Sequence, residues 1–299
     1  MPLITPQPVD SGIVRGLIHA LRGRYRFLHA QPIGQSVCGR DITMLSLGKG
    51  KEKVLYTAAF HGQEWLTALV LLQLVEDICA ALESGELLCG MDYAGGLSGR
   101  TLVFVPLVNP DGVDIARHGS AAAGQHEKTV QRLGGDTPGL WQANARGVDL
   151  NHNFNAGWVG LQERERAAGI VGPAPRRFGG AAPESEPEVR ALTVLCRENP
   201  FRHVLALHSQ GEEIYWQFGD KTPARAHLLG QILAVSSGYT LASPEPIATG
   251  GGFKDWFIDT FGRPGYTVEL GRGQNPLPAG DLTQVYEKAK EMLLLAGLI

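Results

Sequence analysis

Four side chains of the kinds that bind and use a metal ion stand at the ends of apolar runs in this chain. His61 and Glu64 lie three residues apart in "AAFHGQEWLT", His208 ends the run "VLALH", and Glu269 falls in "YTVELG". A catalytic zinc takes three nitrogen or oxygen ligands and keeps one position for water, and two histidines with one glutamate are a standard set. His61 and Glu64 offer two ligands within one helical turn, and His208 offers a third from a second strand end. Glu269 is a carboxylate amid Val and Leu, and it needs a polar reason to be there. The chemistry such a set can do is hydrolysis: the ion lowers the pKa of a water it polarises, and a nearby carboxylate takes the proton and passes it to a leaving amine. Singly, each residue has a plainer explanation. His61 and Glu64 are compatible with a strand-end histidine and a first-turn acid favoured by the helix dipole, His208 with a satisfied strand-end histidine, and Glu269 with half of a buried ion pair. Their joint placement favours the metal site.

The elements that must position these residues can be read from hydrophobic pattern. "KVLYTAAF" (53–60), "RTLVFVPLV" (100–108), "RHVLALH" (202–208) and "GYTVEL" (265–270) are short, nearly continuous apolar runs, as expected of strands buried on both faces. "IGQSVCGRDITMLSLG" alternates and carries glycines, which predicts a strand pair near an edge. Helical spacing is predicted over 9–24, 65–82, 187–197, 223–236, 253–261 and 281–295. Strands alternating with helices place the chain in the α/β class, with a mixed, largely parallel sheet covered by helices on both faces. Ligands in such sheets sit at the carboxyl ends of the strands. Asn109-Pro110-Asp111-Gly112 reads as a turn closing a strand, and 111–146 and 155–183 read as long functional loops.

Bulk composition narrows the function classes. With 299 residues, 43% hydrophobic and 19% charged, the chain can bury one sizeable core, and residues 1–299 read as one domain with 1–35 as an N-terminal helix and lead-in. The net charge of −3, with no basic run, argues against a nucleic-acid or anionic-membrane partner. No segment at the start reads as a secretory signal, and no apolar stretch reads as a membrane span. The four cysteines (Cys38, Cys79, Cys89, Cys196) form no CxxC pair and are too few for a disulfide framework. The expected address is cytoplasmic and the expected partner a small polar ligand, and the oligomeric state is left open.

The ordered set "HGQEW", "NPDGV", "GVDLNHNF", "HSQGEEIYW" and "YTVELG" resembles the zinc metallocarboxypeptidases related to carboxypeptidase A, from about Ser36 to the C-terminus. Within that family the chain looks most like the bacterial γ-D-glutamyl-L-diamino-acid peptidases, through "WQANARGVDLN" (141–151), "HSQGEEIYW" (208–216), "FKDWF" (253–257) and "PGYTVELGRGQNPLP" (264–278). The resemblance implies an α/β/α sandwich and one zinc per chain held by His61, Glu64 and His208. It also implies Glu269 as general base, Asn151 as a substrate-binding residue and a peptide or muropeptide as substrate. Asp149 in the same phrase reads as a turn or core hydrogen-bonding residue.

The departures from the family pattern bear on specificity. The family's carboxylate-gripping Arg, which forks onto a C-terminal carboxylate, falls on His152. Its oxyanion-stabilising Arg falls near Gln142, leaving Arg146 as a nearby cationic substitute, and its phenol-bearing Tyr falls near Ile247. Glu212 and Glu213 are candidates to meet a substrate amine, or are solvated. Tyr215 and Trp216 look like family pocket residues, but an aromatic after a strand is more often core. The expected activity is cleavage of a γ-D-glutamyl to diamino-acid bond. The alternatives are an ordinary metallocarboxypeptidase, a zinc deacylase of the succinylglutamate or aspartate-acyl type, and, last, a binding protein that has lost activity.

Overall fold

The computed structural model describes residues 1–137 and 139–299. Among these, eight strands form one sheet: β1 (His29–Gln35), β2 (Asp41–Gly48), β3 (Glu52–Ala58), β4 (Arg100–Val105), β5 (Phe201–His208), β6 (Glu213–Tyr215), β7 (Thr240–Ala242) and β8 (Gly265–Glu269), in the order β1-β2-β4-β3-β5-β8-β6-β7. The central strands β4, β3, β5 and β8 are parallel. The β1–β2 pair is antiparallel and lies at one edge, as its alternation predicts, while β6 runs antiparallel to β8 and parallel to β7 at the other. The helices are α1 (Ser11–Arg24), α2 (Leu66–Ser84), α3 (Tyr93–Gly96), α4 (Pro110–His118), α5 (Glu127–Arg132), α6 (Trp158–Ala167), α7 (Pro187–Glu198), α8 (Ala224–Ser237), α9 (Phe253–Phe261) and α10 (Leu282–Leu298).

Strand alternation sorts the core into two layers. Val54, Tyr56 and Ala58 of β3 and Leu205 and Leu207 of β5 pack with α2 and α10, whereas Leu55, Val204 and Ala206 pack with α7 and α9. Successive side chains point to opposite faces, so a continuous apolar run serves both layers. Cutting any of these leucines to Ala would cost about 2–5 kcal/mol in transfer and cavity terms. The second layer is aromatic: Phe154, Phe253 and Trp256 form a contiguous cluster that continues through Phe60 to the ring of His208.

Two expectations need correction. The segment Gly62–Ser84 is long and apolar enough to cross a membrane by length and composition, contrary to the reading that no stretch is. It is mostly buried, because α2 is apolar nearly all round and sits inside the first core layer. Asn-Pro-Asp-Gly is the start of a helix and not a strand-closing turn: Asn109 caps α4 by accepting from the Gly112 N–H at 2.8 Å, with Pro110 in the first turn, where its missing N–H costs nothing.

Candidate metal centre and active-site cleft

Three of the central strands, β3, β5 and β8, end side by side, and the four residues of interest sit at or just after those ends. His208 and Glu269 are register partners at the last rung of β5 and β8. His61 and Glu64 follow β3 in a short loop that the neighbouring chain grips closely. Asn109 Nδ2 donates to the Phe60 carbonyl at 2.9 Å, Gly62 N–H donates to the Gln142 carbonyl at 3.0 Å, and Thr67 Oγ1 accepts from Ala59 N–H while donating to the Glu64 carbonyl. A Cβ at Gly62 would collide with the Gly112 carbonyl and crowd that of Trp141. This close approach is why the residue after the ligand histidine is glycine.

His61 Nδ1 lies 2.7 Å from Glu64 Oε1, and His208 Nδ1 lies 3.0 Å from Glu64 Oε2. The candidate ligand atoms of all three fall within 4.8 Å of one another. Behind His61, Nε2 donates to Asp149 Oδ1 at 3.2 Å, and Asp149 also accepts from the Asn151 and Arg177 N–H groups. A histidine with one nitrogen turned to the centre and the other tied to a carboxylate is how zinc-ligating imidazoles are oriented. The donor set of two nitrogens and one carboxylate therefore fits zinc. Burial alone would lower the His61 pKa, but Glu64 and Asp149 more than reverse this and hold it well above the histidine range. Burial likewise opposes ionisation of Glu64 and Asp149, and the facing histidines, His61 foremost, hold both carboxyls below their usual range. Such a charge balance suits a cation that displaces the His61 proton. Burial and the Glu64 carboxylate push Glu269 well above the usual carboxylate range, with His61 pulling it back. That direction suits a proton acceptor.

A cleft of about 180 Å³ opens over His61, His208 and Glu269. Gln142, Asn151 and His152 are among the residues that line it. Asn151 Oδ1 accepts from the Phe253 N–H at 3.0 Å. His152 is buried, and its Nδ1 lies 2.8 Å from Glu165 Oε1, leaving Nε2 for a ligand. Tyr215 also lines the cleft, its hydroxyl donating to Glu213 Oε2 at 2.8 Å. Trp216 instead packs against the first core layer.

Three candidates are not brought to the cleft. Arg146 is half-exposed and points to Glu186, 3.5 Å away. Asn144 Oδ1 accepts from the Arg146 and Val148 N–H groups, and Gly147 turns at a φ of 72°, so the chain sends Arg146 outward before Asp149 returns. Glu212 is buried in contact with Lys288 and Arg272, at 2.6 Å each, and is neither solvated nor available to substrate. Glu213 does not line the cleft; it is the register partner of Glu269 and accepts from the Tyr215 hydroxyl. Conversely, Arg177, Lys254, Asp255 and Thr267 line the cleft without having been singled out from the sequence. Of the two arginines, Arg177 and not Arg146 is among the residues that line the cleft. A larger hollow of about 440 Å³ between α1 and the β1–β2 pair, lined by Arg15, His19 and Thr43 among others, shares no residue with the centre.

A two-histidine, one-glutamate centre at the carboxyl edge of a mixed α/β sheet, with a second carboxylate at the adjoining strand end, defines a metal-dependent hydrolase. The chain matches the zinc carboxypeptidase family model over residues 15–292 and belongs to that family; it is a zinc metallopeptidase, and His61, Glu64 and His208 form its metal-binding group. It is 36% identical to γ-D-glutamyl-L-diamino acid endopeptidase 1 of Lysinibacillus sphaericus, over 98% of this chain and 72% of that protein. It is also 36% identical to YqgT of Bacillus subtilis, over 95% of this chain and 76% of that protein. The fold is shared with thrombin-activatable fibrinolysis inhibitor, at a TM-score of 0.77 and 20% identity, covering 100% of this chain and 76% of that one.

Proposed function

We propose that this enzyme hydrolyses the amide bond between a γ-D-glutamyl residue and a diamino acid in cell-wall peptides. What carries the assignment is the buried His152, paired with Glu165, at the place of the family's carboxylate-gripping Arg, in a chain 36% identical to an endopeptidase named for that bond. A histidine cannot make the two parallel hydrogen bonds of a guanidinium, which disfavours recognition of a plain C-terminal residue. Zinc, held by His61, Glu64 and His208, supplies Lewis acidity to the carbonyl and to water. Glu269 takes the proton of the attacking water and delivers it to the leaving amine. Asp149 keeps the His61 tautomer and orientation, and the Gln142 amide donates to the carbonyl oxygen as it gains charge. Arg177 offers a cation to the substrate's free carboxylates.

Mass spectrometry of products, with and without a chelator, tests this on L-Ala-γ-D-Glu-diaminopimelate and on blocked dipeptides ending in Phe, Leu or Lys. The wall peptide is expected to be cleaved at its γ-glutamyl bond with a kcat/KM at least about tenfold higher, since discrimination is expressed in that ratio. The reverse preference would make the enzyme an ordinary carboxypeptidase.

A further inference from the structure

The groove between α1 and the outer strands β1 and β2 is larger than the catalytic cleft, about 440 Å³ against about 180 Å³, and shares no lining residue with it. Its rim is basic, in a chain whose net charge is −3. Arg15, His19 and Arg22 line it from α1, four and three residues apart, so they share one side of that helix. All three are exposed. Among the described residues none of them pairs with a carboxylate, whereas Arg24 sits 3.7 Å from Glu76, and Arg40, at the end of the groove, is held by Asp111 at 2.6 Å and Asp114 at 2.7 Å. The one acid of the lining, Asp41, accepts from Gln35 Nε2 at 3.0 Å. Below the rim the floor is aliphatic: Val14, Ile18 and Leu107 are buried beneath it, and Pro32 sits beside them on β1. Gln31 and Thr43 add polar side chains on the sheet side. No Phe, Tyr or Trp lines the groove, so it has no stacking platform for a nucleobase.

We propose that this groove docks an extended acidic peptide, a segment of a partner protein in which Glu or Asp alternates with aliphatic residues. From Arg15 to His19 the helix rises about 6 Å, and same-face side chains of an extended peptide recur about every 6.6 Å. Carboxylates at alternate positions therefore meet successive cations of the rim, where the guanidinium fork suits them. The intervening aliphatic side chains cover the floor, and Gln31 and Thr43 offer hydrogen bonds to the peptide backbone. A small inorganic anion would satisfy the rim and leave the aliphatic floor uncovered. The site is independent of the hydrolytic centre, and its occupant is bound and not cleaved.

The test is fluorescence anisotropy of a fluorescein-labelled Val-Glu-Val-Glu-Val amide titrated with the zinc-loaded enzyme, beside the same peptide with Gln for Glu. The acidic peptide is expected to bind saturably and the Gln peptide at least about fivefold more weakly. Arg15→Gln combined with Arg22→Gln should weaken the acidic peptide by about fivefold or more while leaving kcat/KM on the γ-D-glutamyl peptide unchanged. Raising salt from about 0.1 M to about 1 M, which shortens the Debye length from about 10 Å to about 3 Å, should weaken wild-type binding in the same way, a readout that needs no variant. Equal binding of the two peptides, or no binding of either at millimolar concentration, overturns the proposal. Displacement of the acidic peptide by an equal concentration of inorganic phosphate makes the groove a plain anion site and also overturns it. So does self-association in sedimentation velocity that the same two substitutions abolish, which makes a second copy of the chain the occupant.

Discussion

Asp149→Asn separates the orientation of the metal ligand from the ligand itself. Asp149 is buried and accepts three hydrogen bonds: from His61 Nε2 at 3.2 Å, Asn151 N–H at 3.1 Å and Arg177 N–H at 2.8 Å. Asparagine keeps the shape and the Oδ1 acceptor facing His61 and Asn151, but it turns a carboxylate bond into a neutral one. A hydrogen bond to a charged group contributes about 1.5–3 kcal/mol and a neutral one about 0.5–1.5, so the change at His61 is about 1–2 kcal/mol, or roughly 5–30-fold in zinc affinity. Loss of the negative charge also weakens proton competition at His61, whose pKa Asp149 helps to raise, which places the expected loss at about tenfold, the lower end for outer ligands of metal-bound histidines. The new NH₂ meets the Arg177 N–H, donor against donor, and should destabilise the fold by about 1–3 kcal/mol. Zinc affinity is measured by competition with a chromophoric chelator, and stability by urea unfolding. A folded variant whose zinc affinity lies within about twofold of wild type would show that packing against the His208 ring, and not the carboxylate, orients His61.

Two further outcomes follow from the same geometry. Glu269→Gln should fold and keep zinc but lose about 10²–10⁴ in kcat, because an amide cannot accept the proton; near-normal turnover would place the base elsewhere. Glu188→Gln should flatten the dependence of stability on pH. Burial, with Asp111 and Glu186 adding to it, raises the Glu188 carboxyl to about 7 against the hydrogen bonds that lower it. Between the unfolded value and that one the folded state holds a proton the unfolded state has released, so stability is full below the unfolded pKa and falls as pH rises, by about 3 kcal/mol in all. Urea midpoints at about pH 5 and about pH 8 should differ less in the variant than in wild type; equal differences would refute it.

The parts of the site legible in the sequence are those set by local pattern. Apolar runs end where charged or imidazole side chains begin, and those ends are where β3, β5 and β8 deliver His61, His208 and Glu269. Helix α9 spans 253–261 as its periodicity predicts. What escaped were elements too short or too polar to carry a period. Strands β6 and β7 have three residues each and owe their existence to pairing with β8 and with each other. Helix α6 lies in 155–183, a stretch whose pattern reads as a long loop, and Glu165 within it is fully buried as the partner of His152.

Charged residues show most clearly why sequence position is a weak guide to the cleft. Arg146 and Arg177 were equal as cations; the difference is made by backbone direction, through the Asn144 side chain that turns Arg146 outward and the Arg177 N–H that docks on Asp149. The αL conformation of Arg177, at a φ of 66°, is uncommon for a residue with a Cβ and coincides with that contact. One backbone bond therefore links the orientation of His61 to the placement of the cleft's guanidinium. A substitution that relaxes this turn, Arg177→Gly, removes the cation while retaining the N–H, whereas Asp149→Asn disturbs the N–H contact and leaves the cation. The two variants should diverge accordingly: Arg177→Gly should raise KM for carboxylate-bearing peptides with zinc affinity intact, and Asp149→Asn should lower zinc affinity. Loss of zinc binding in Arg177→Gly would mean that the side chain, and not only its backbone, supports the metal centre.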